Sequence, residues 1–131
     1  MRHEKIFDTL HTVAVDVGGT RSKHAAAIVH KGSIISIGTN NRITHPFQKR
    51  FASNEEEIWI HAELDAINKA LKRHDTDFLK RCSLYVIRVK NDKKKLVRAY
   101  SKPCANGCQK AIATFGIKRV AYTTDDGVEW L

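Results

Sequence analysis

Residues 25–39, AAAIVHKGSIISIGT, hold two short apolar runs on either side of Lys31-Gly32. Runs this short, parted by a Gly-containing turn, fold back on themselves as a β-hairpin. SLYVIRV, at 83–89, is rich in β-branched and aromatic residues and reads as a further strand. NDKKK then turns the chain, LVRAY returns as a short strand, and KRVAYTT (118–124) is expected to be the last. The closing DDGVEWL leaves little room for more structure. Helical patterns separate these strands. Ile6, Phe7, Leu10, Val13, Ala14 and Val17 recur at helical spacing, which predicts a first helix over 5–17, ended by Gly18-Gly19. NEEEIWIHAELDAINKALKRH contains the clearest helix. Ala62, Leu64, Ala66, Ile67, Ala70 and Leu71 mark its buried side, and its basic end suits the helix dipole. Residues 40–53 read as a polar loop, and 105–115 as a loop running into a helix closed by Gly116. Strands alternating with helices place the chain in the α/β class.

At 131 residues the chain suits one domain with one core, and 42% hydrophobic residues with two prolines argue against disorder. No apolar run approaches the ~18 residues that cross a bilayer, and the charged MRHEKIFD lacks the apolar core of a signal peptide. Three cysteines, an odd number, fit a reducing compartment better than a disulfide framework. The expectation is a soluble intracellular, cytoplasmic protein with no membrane partner. The net charge of +9, from 23 basic and 14 acidic side chains, favours polyanions or phosphorylated small molecules as partners, and equally a solvated surface.

AVDVGGT (14–20) looks like the first phosphate loop of actin-like sugar kinases, in which VAVDV must be a strand. Such kinases close two lobes around ATP, and the remaining chain offers no second phosphate loop and no adenosine segment. The better reading of VDVGGT is the end of the first helix and the turn into the sheet.

Two other segments carry chemistry: His61-Ala62-Glu63, and Pro103-Cys104-Ala105-Asn106-Gly107-Cys108. One imidazole, two thiols and a carboxylate can hold zinc and act through it. Zinc binds sulfur and imidazole nitrogen tetrahedrally, and three protein ligands leave a position for water, which separates a catalytic site from a structural one. Structural sites usually close with a fourth Cys or His. The spare Cys82, at the start of SLYVIRV, reads as a small buried residue.

H-x-E followed by P-C…C marks the zinc nucleobase deaminases, and the sequence resembles the cytidine and deoxycytidylate deaminase superfamily. The hairpin KHAAAIVHKGSIISIGTN, with its closing Gly-x-Asn, and GIKRVAYTT share in the likeness, which spans roughly residues 22–124. It implies a single deaminase domain over 1–131, with 1–21 a helix and turn, folded as a three-layer α/β/α sandwich around a mixed sheet of four or five strands. It implies one zinc ion per chain, ligated by His61, Cys104 and Cys108. Glu63 would not touch the metal but would move protons between water, ring nitrogen and departing ammonia. Asn40 matches a substrate-contacting asparagine, with Ala62, Ser101 and His24 beside it; His24 and Arg21, ahead of the first strand, could reach a phosphate.

Two departures from the family pattern set structural conditions. Residues two apart on a regular helix point to different sides, so His61 and Glu63 converge only if His61 sits at the irregular first turn. Cys-x3-Cys replaces the commoner Cys-x2-Cys, so the extra residue must be absorbed as a looser turn. The chain also stops about eight residues past its last expected strand, where relatives add a helix and strand that shape the pocket; a homo-oligomer completing its neighbours' pockets is the expected partner arrangement.

The implied activity is hydrolytic deamination of cytosine in a nucleoside or nucleotide, dCMP or CMP first, to the uracil product and ammonia. The alternatives are a deaminase of cytosine or adenine in single-stranded DNA or RNA, and a basic nucleic-acid-binding module with a structural zinc and no turnover. Lys90, Lys93, Lys94, Lys95 and Arg98 could track a phosphate backbone or be a solvated turn, and Trp59 fits a core position better than a stacking platform.

Overall fold

The computed structural model describes residues 2–17, 23–40, 61–93, 95–103 and 108–131. The expected turn at Gly18-Gly19, Arg21, the loop through 41–53, Trp59, Lys94 and Cys104 lie outside them.

Helix α1 (Arg2–Val15) precedes the hairpin of β1 (Lys23–His30) and β2 (Ser33–Thr39). Lys31 (φ 50°) and Gly32 (φ 81°) both occupy the left-handed region at its turn. Two-residue hairpins favour that geometry because it matches the twist of the flanking strands. Helix α2 (Ala62–Leu71) follows, then a single turn α3 (Thr76–Leu79), β3 (Ser83–Asp92) and β4 (Lys95–Ala99). Helix α4 (Cys108–Thr114), β5 (Arg119–Thr124) and β6 (Gly127–Trp130) complete the described elements.

The strands form one mixed sheet in the order β2-β1-β3-β5-β6, with β4 attached to β3. β3 and β5 run parallel; the other neighbours are antiparallel. β4 and β5 divide one side of β3 between them. β5 pairs with residues 83–86 and β4 with residues 88–92.

β1 and β3 feed two cores through the strand period of two. Ala25, Ala27 and Val29 of β1 join Tyr85, Ile87 and Val89 of β3 under Ile6, Phe7, Leu10 and Ala14 of α1. The alternate residues Ala26, Ile28, Leu84 and Val86 face α2 and α4, packing on Leu64, Ile67, Cys108 and Ile112. Helices therefore cover both faces, giving the three-layer sandwich expected from the resemblance.

Among the described residues the sheet has six strands rather than four or five, and the difference is DDGVEWL. Thr124 Oγ1 accepts from the Asp126 N–H at 3.2 Å, which closes a turn, and Gly127 (φ 153°) leads into β6. The Arg119 guanidinium then lies 5.2 Å above the Trp130 ring, and Leu131 N–H donates to the Val120 carbonyl at 2.8 Å. VAVDV, by contrast, is not a strand: α1 runs to Val15. The Lys23 ammonium reaches back to donate to the Val15 carbonyl at 3.3 Å and to that of Val17. A cation at a helix carboxy terminus satisfies orphan carbonyls and opposes the dipole. The kinase-like geometry is absent there.

Candidate functional site

The first turn of α2 resolves the spacing of His61 and Glu63. His61 is the N-cap, with extended backbone (φ −90°, ψ 155°), and its carbonyl accepts the first helical bond from Asp65 N–H at 2.9 Å. One extended residue ahead of the helix lets the imidazole and the Glu63 side chain turn toward the same place.

Helix α2 is held in position by β2. A Cβ on Gly38 would lie 2.2 Å from Ala66 N and 2.4 Å from Ala62 O, so only glycine allows the helix backbone this close. Three polar contacts fix the register along the same seam. Thr39 N–H donates to Asp65 Oδ2 at 3.0 Å, Ser36 Oγ donates to the Ala66 carbonyl at 2.7 Å, and Lys69 Nζ donates to the Ile37 carbonyl at 3.4 Å.

Helix α4 brings Cys108, fully buried, to the same point. Its thiol sulfur lies 3.2 Å from His61 Nδ1. One ligand atom from each of His61, Glu63 and Cys108 falls within 4.8 Å of the others. Nitrogen and sulfur ligands on a tetrahedral zinc stand about 3.5 Å apart, given bond lengths of ~2.0 and ~2.3 Å. The imidazole–thiol pair is thus already at ligand spacing, and the donor set fits zinc.

A cavity of about 220 Å³ opens over this cluster, lined by His24, Asn40, His61, Ala62, Glu63, Ser101 and Lys102. Every site residue named from the sequence that falls within the described part is in this cavity or, for Cys108, against His61 at its floor. His24 is the second residue of β1 rather than ahead of it, and its N–H donates to Asn40 Oδ1 at 2.8 Å. That bond ties the start of the hairpin to its end and brings both residues to one wall.

Ser101 lines the cavity, yet its hydroxyl is engaged in the fold. Its Oγ lies 3.1 Å from the Val86 carbonyl and 2.9 Å from Thr123 Oγ1, and accepts from Thr123 N–H at 2.9 Å. Thr123 Oγ1 donates in turn to the Ala99 carbonyl at 2.7 Å and accepts from Arg88 N–H at 3.2 Å. This network closes the fork where β4 ends beside β5 and the Pro103 segment departs. Gln109 Nε2 then donates to the Pro103 carbonyl at 2.8 Å, bracing that segment against α4.

Two contributors escaped the sequence reading. Thr123 gave no signal, being one hydroxyl in a β-branched strand. Lys102 stands beside Pro103-Cys104 and could have been found from its place in that motif. The basic turn reads differently in three dimensions. Arg98, one of the cations that could track phosphates or form a solvated turn, pairs with Asp8 at 2.9 Å and joins β4 to α1.

The chain belongs to the family described as the cytidine and deoxycytidylate deaminase zinc-binding region, which matches residues 1–124. It is therefore a member of a family of hydrolytic deaminases. Among solved structures it is similar to the apo dCMP deaminase of the cyanophage S-TIM5. The two are 25% identical, with a TM-score of 0.61 over 92% of this chain and 81% of that one. The same cyanophage enzyme in complex with dCMP and dUMP shares the fold, at 24% identity and a TM-score of 0.59 over 92% of this chain and 79% of that one. Comparison with curated protein sequences returns no match. No helix among the described residues is long and apolar enough to cross a membrane.

Proposed function

We propose that the chain, as one deaminase unit, is a zinc-dependent hydrolase that converts cytosine of a nucleoside or nucleotide, dCMP or CMP first, to uracil and ammonia. The observation that carries this reading is the 3.2 Å approach of His61 Nδ1 to Cys108 Sγ with the buried Glu63 carboxylate beside them, under one open cavity. His61 and Cys108 would hold the metal with Cys104 as the third ligand, which the motif supplies. Zinc bound there would act as a Lewis acid that makes water nucleophilic at neutral pH.

Glu63 is the proton carrier. It takes a proton from the attacking water and delivers it to the ring nitrogen. It then passes the water's second proton to the exocyclic amine, so that the carbon–nitrogen bond breaks with ammonia leaving. Burial suits this task, because a carboxylate shielded from solvent keeps its proton for the substrate. His24 and Asn40, joined by their 2.8 Å bond, form the wall for the sugar. Lys102 gives the cavity mouth a cation for a 5′-phosphate, which supports a nucleotide over a nucleoside.

Purified protein assayed for ammonia release on dCMP, deoxycytidine and a cytosine-containing single strand tests the reading, with zinc measured on the same samples. Turnover of dCMP with one zinc per chain is expected. Glu63→Gln should keep the zinc and lose roughly a hundredfold or more of the rate, whereas Cys108→Ala should lose both. Reaction of the polymer alone would overturn the substrate assignment, and zinc without turnover on any of the three would overturn the enzyme. Lys102→Ala should raise KM for dCMP roughly tenfold, the scale of a charged hydrogen bond, and leave deoxycytidine unchanged.

A further inference from the structure

A second and larger cleft, of about 460 Å³, lies at the opposite end of the sheet. His24 and Val29 are five residues apart on β1, so the two openings are separated by about 17 Å of strand. The register places Val29, Ser83 and Arg119 side by side on adjacent strands. Around this row stand Lys31 from the hairpin turn, Arg81 ahead of β3, and Lys118 and Arg119 at the start of β5, all exposed. Among the described residues no carboxylate lines the cleft. Among the described residues none is within ion-pair distance of these four cations; a fifth, Lys80, meets Asp77 at 3.4 Å.

An aromatic surface adjoins the charges. Trp130 is 45% exposed, large for an indole that also stacks with Arg119 and meets Tyr85 edge-on at 6.0 Å. The cations follow the sheet end from β1 to β5, about 10 Å at ~4.8 Å per strand, with Trp130 on β6 beyond them, instead of converging on one point. A lone phosphate group needs convergence. A chain of phosphates needs a track, with a flat ring beside it on which a base can stack.

We propose that this cleft binds single-stranded nucleic acid, held through its phosphates by Lys31, Arg81, Lys118 and Arg119 with a base on Trp130. The site is separate from the cavity at His61 and does not depend on the deaminase reading. Oligothymidylate, whose base has no amine to remove, is therefore the probe.

Fluorescence anisotropy of a labelled oligothymidylate dodecamer, followed across a salt series, should show binding that weakens steeply as salt rises. Combining Lys31→Asn, Arg81→Ala and Lys118→Ala should weaken it at least tenfold and flatten the log–log salt slope by about 2, at ~0.7 per phosphate contact. Asparagine keeps the left-handed turn at 31. The control combination Lys72→Ala, Arg73→Ala and Lys110→Ala removes the same charge from exposed positions elsewhere and should leave affinity within twofold. Trp130→Leu, with the basic row intact, should cost roughly tenfold. The proposal is overturned if the dodecamer does not bind, if both triple variants weaken alike, or if thymidine monophosphate displaces the dodecamer at equal phosphate concentration.

Discussion

Thr123 is wholly buried on β5 and joins Ser101, Ala99 and Arg88 through a single hydroxyl. Replacing it with valine keeps the shape and strands those partners, and a buried polar group left unmatched costs about 1–3 kcal/mol. Thr123→Val should lower the melting temperature, and Thr123→Ser should recover most of the loss. If valine and serine melt alike, the hydroxyl is dispensable. Ser101 shows the limit of the sequence at this scale. Its place before Pro103-Cys104 marked it for the site, but nothing in the local sequence told that its oxygen belongs to β5, 22 positions away. His61, Glu63 and Cys108 were legible because their chemistry is rare and their order distinctive, and Asn40 through the Gly-x-Asn that closes the hairpin.

Among the elements, the seam between α2 and β2 sets where His61 and Glu63 point. Gly38→Ala places a methyl against the backbone of Ala62, Asp65 and Ala66, which cannot yield as a flexible side chain would. The helix must shift, at a cost of roughly 3 kcal/mol, and the first turn that carries His61 and Glu63 shifts with it. Activity should fall further than that of Ser36→Ala, which removes one bond from the same seam and leaves the spacing intact; equal losses would show that the close approach does not matter. Helical spacing exposed α1 and α2, the Gly-containing turn exposed the hairpin, and β-branched and aromatic composition exposed β3. β6 was missed because all four of its residues are exposed and no burial pattern marks it. α3 was missed because it is one turn long, although Asp75 announces it by accepting from Phe78 N–H at 2.9 Å.

For the whole molecule, the central sheet hides ionisable groups that fold in their neutral form. Burial pushes the Tyr85 hydroxyl above its ordinary range, with Arg119 pulling the other way, and raises the Cys82 thiol against the opposing charge of Arg81. A group whose pKa is raised on folding stabilises fully below its unfolded value and loses that contribution as pH climbs through the folded one. Resistance to urea should therefore hold near pH ~8 and fall above pH ~10, where tyrosine and cysteine ionise in the unfolded chain. An unfolding midpoint that rises between those conditions would contradict this. The overall class was legible from alternation and length, whereas the remote basic cleft was not. Lys31, Arg81, Lys118 and Trp130 are scattered along the sequence, and only the strand order gathers them.

The division of β3 between two partners makes one amide a reporter. Arg88 lies between the residues claimed by β5 and those deep in the β4 ladder, and its N–H donates to the side-chain hydroxyl of Thr123 on β5 at 3.2 Å. Deuterium uptake at that position would time the opening of the junction itself. A ligand that quietens it without slowing exchange elsewhere in β3 would reveal that filling the cavity locks the departure point of the cysteine segment.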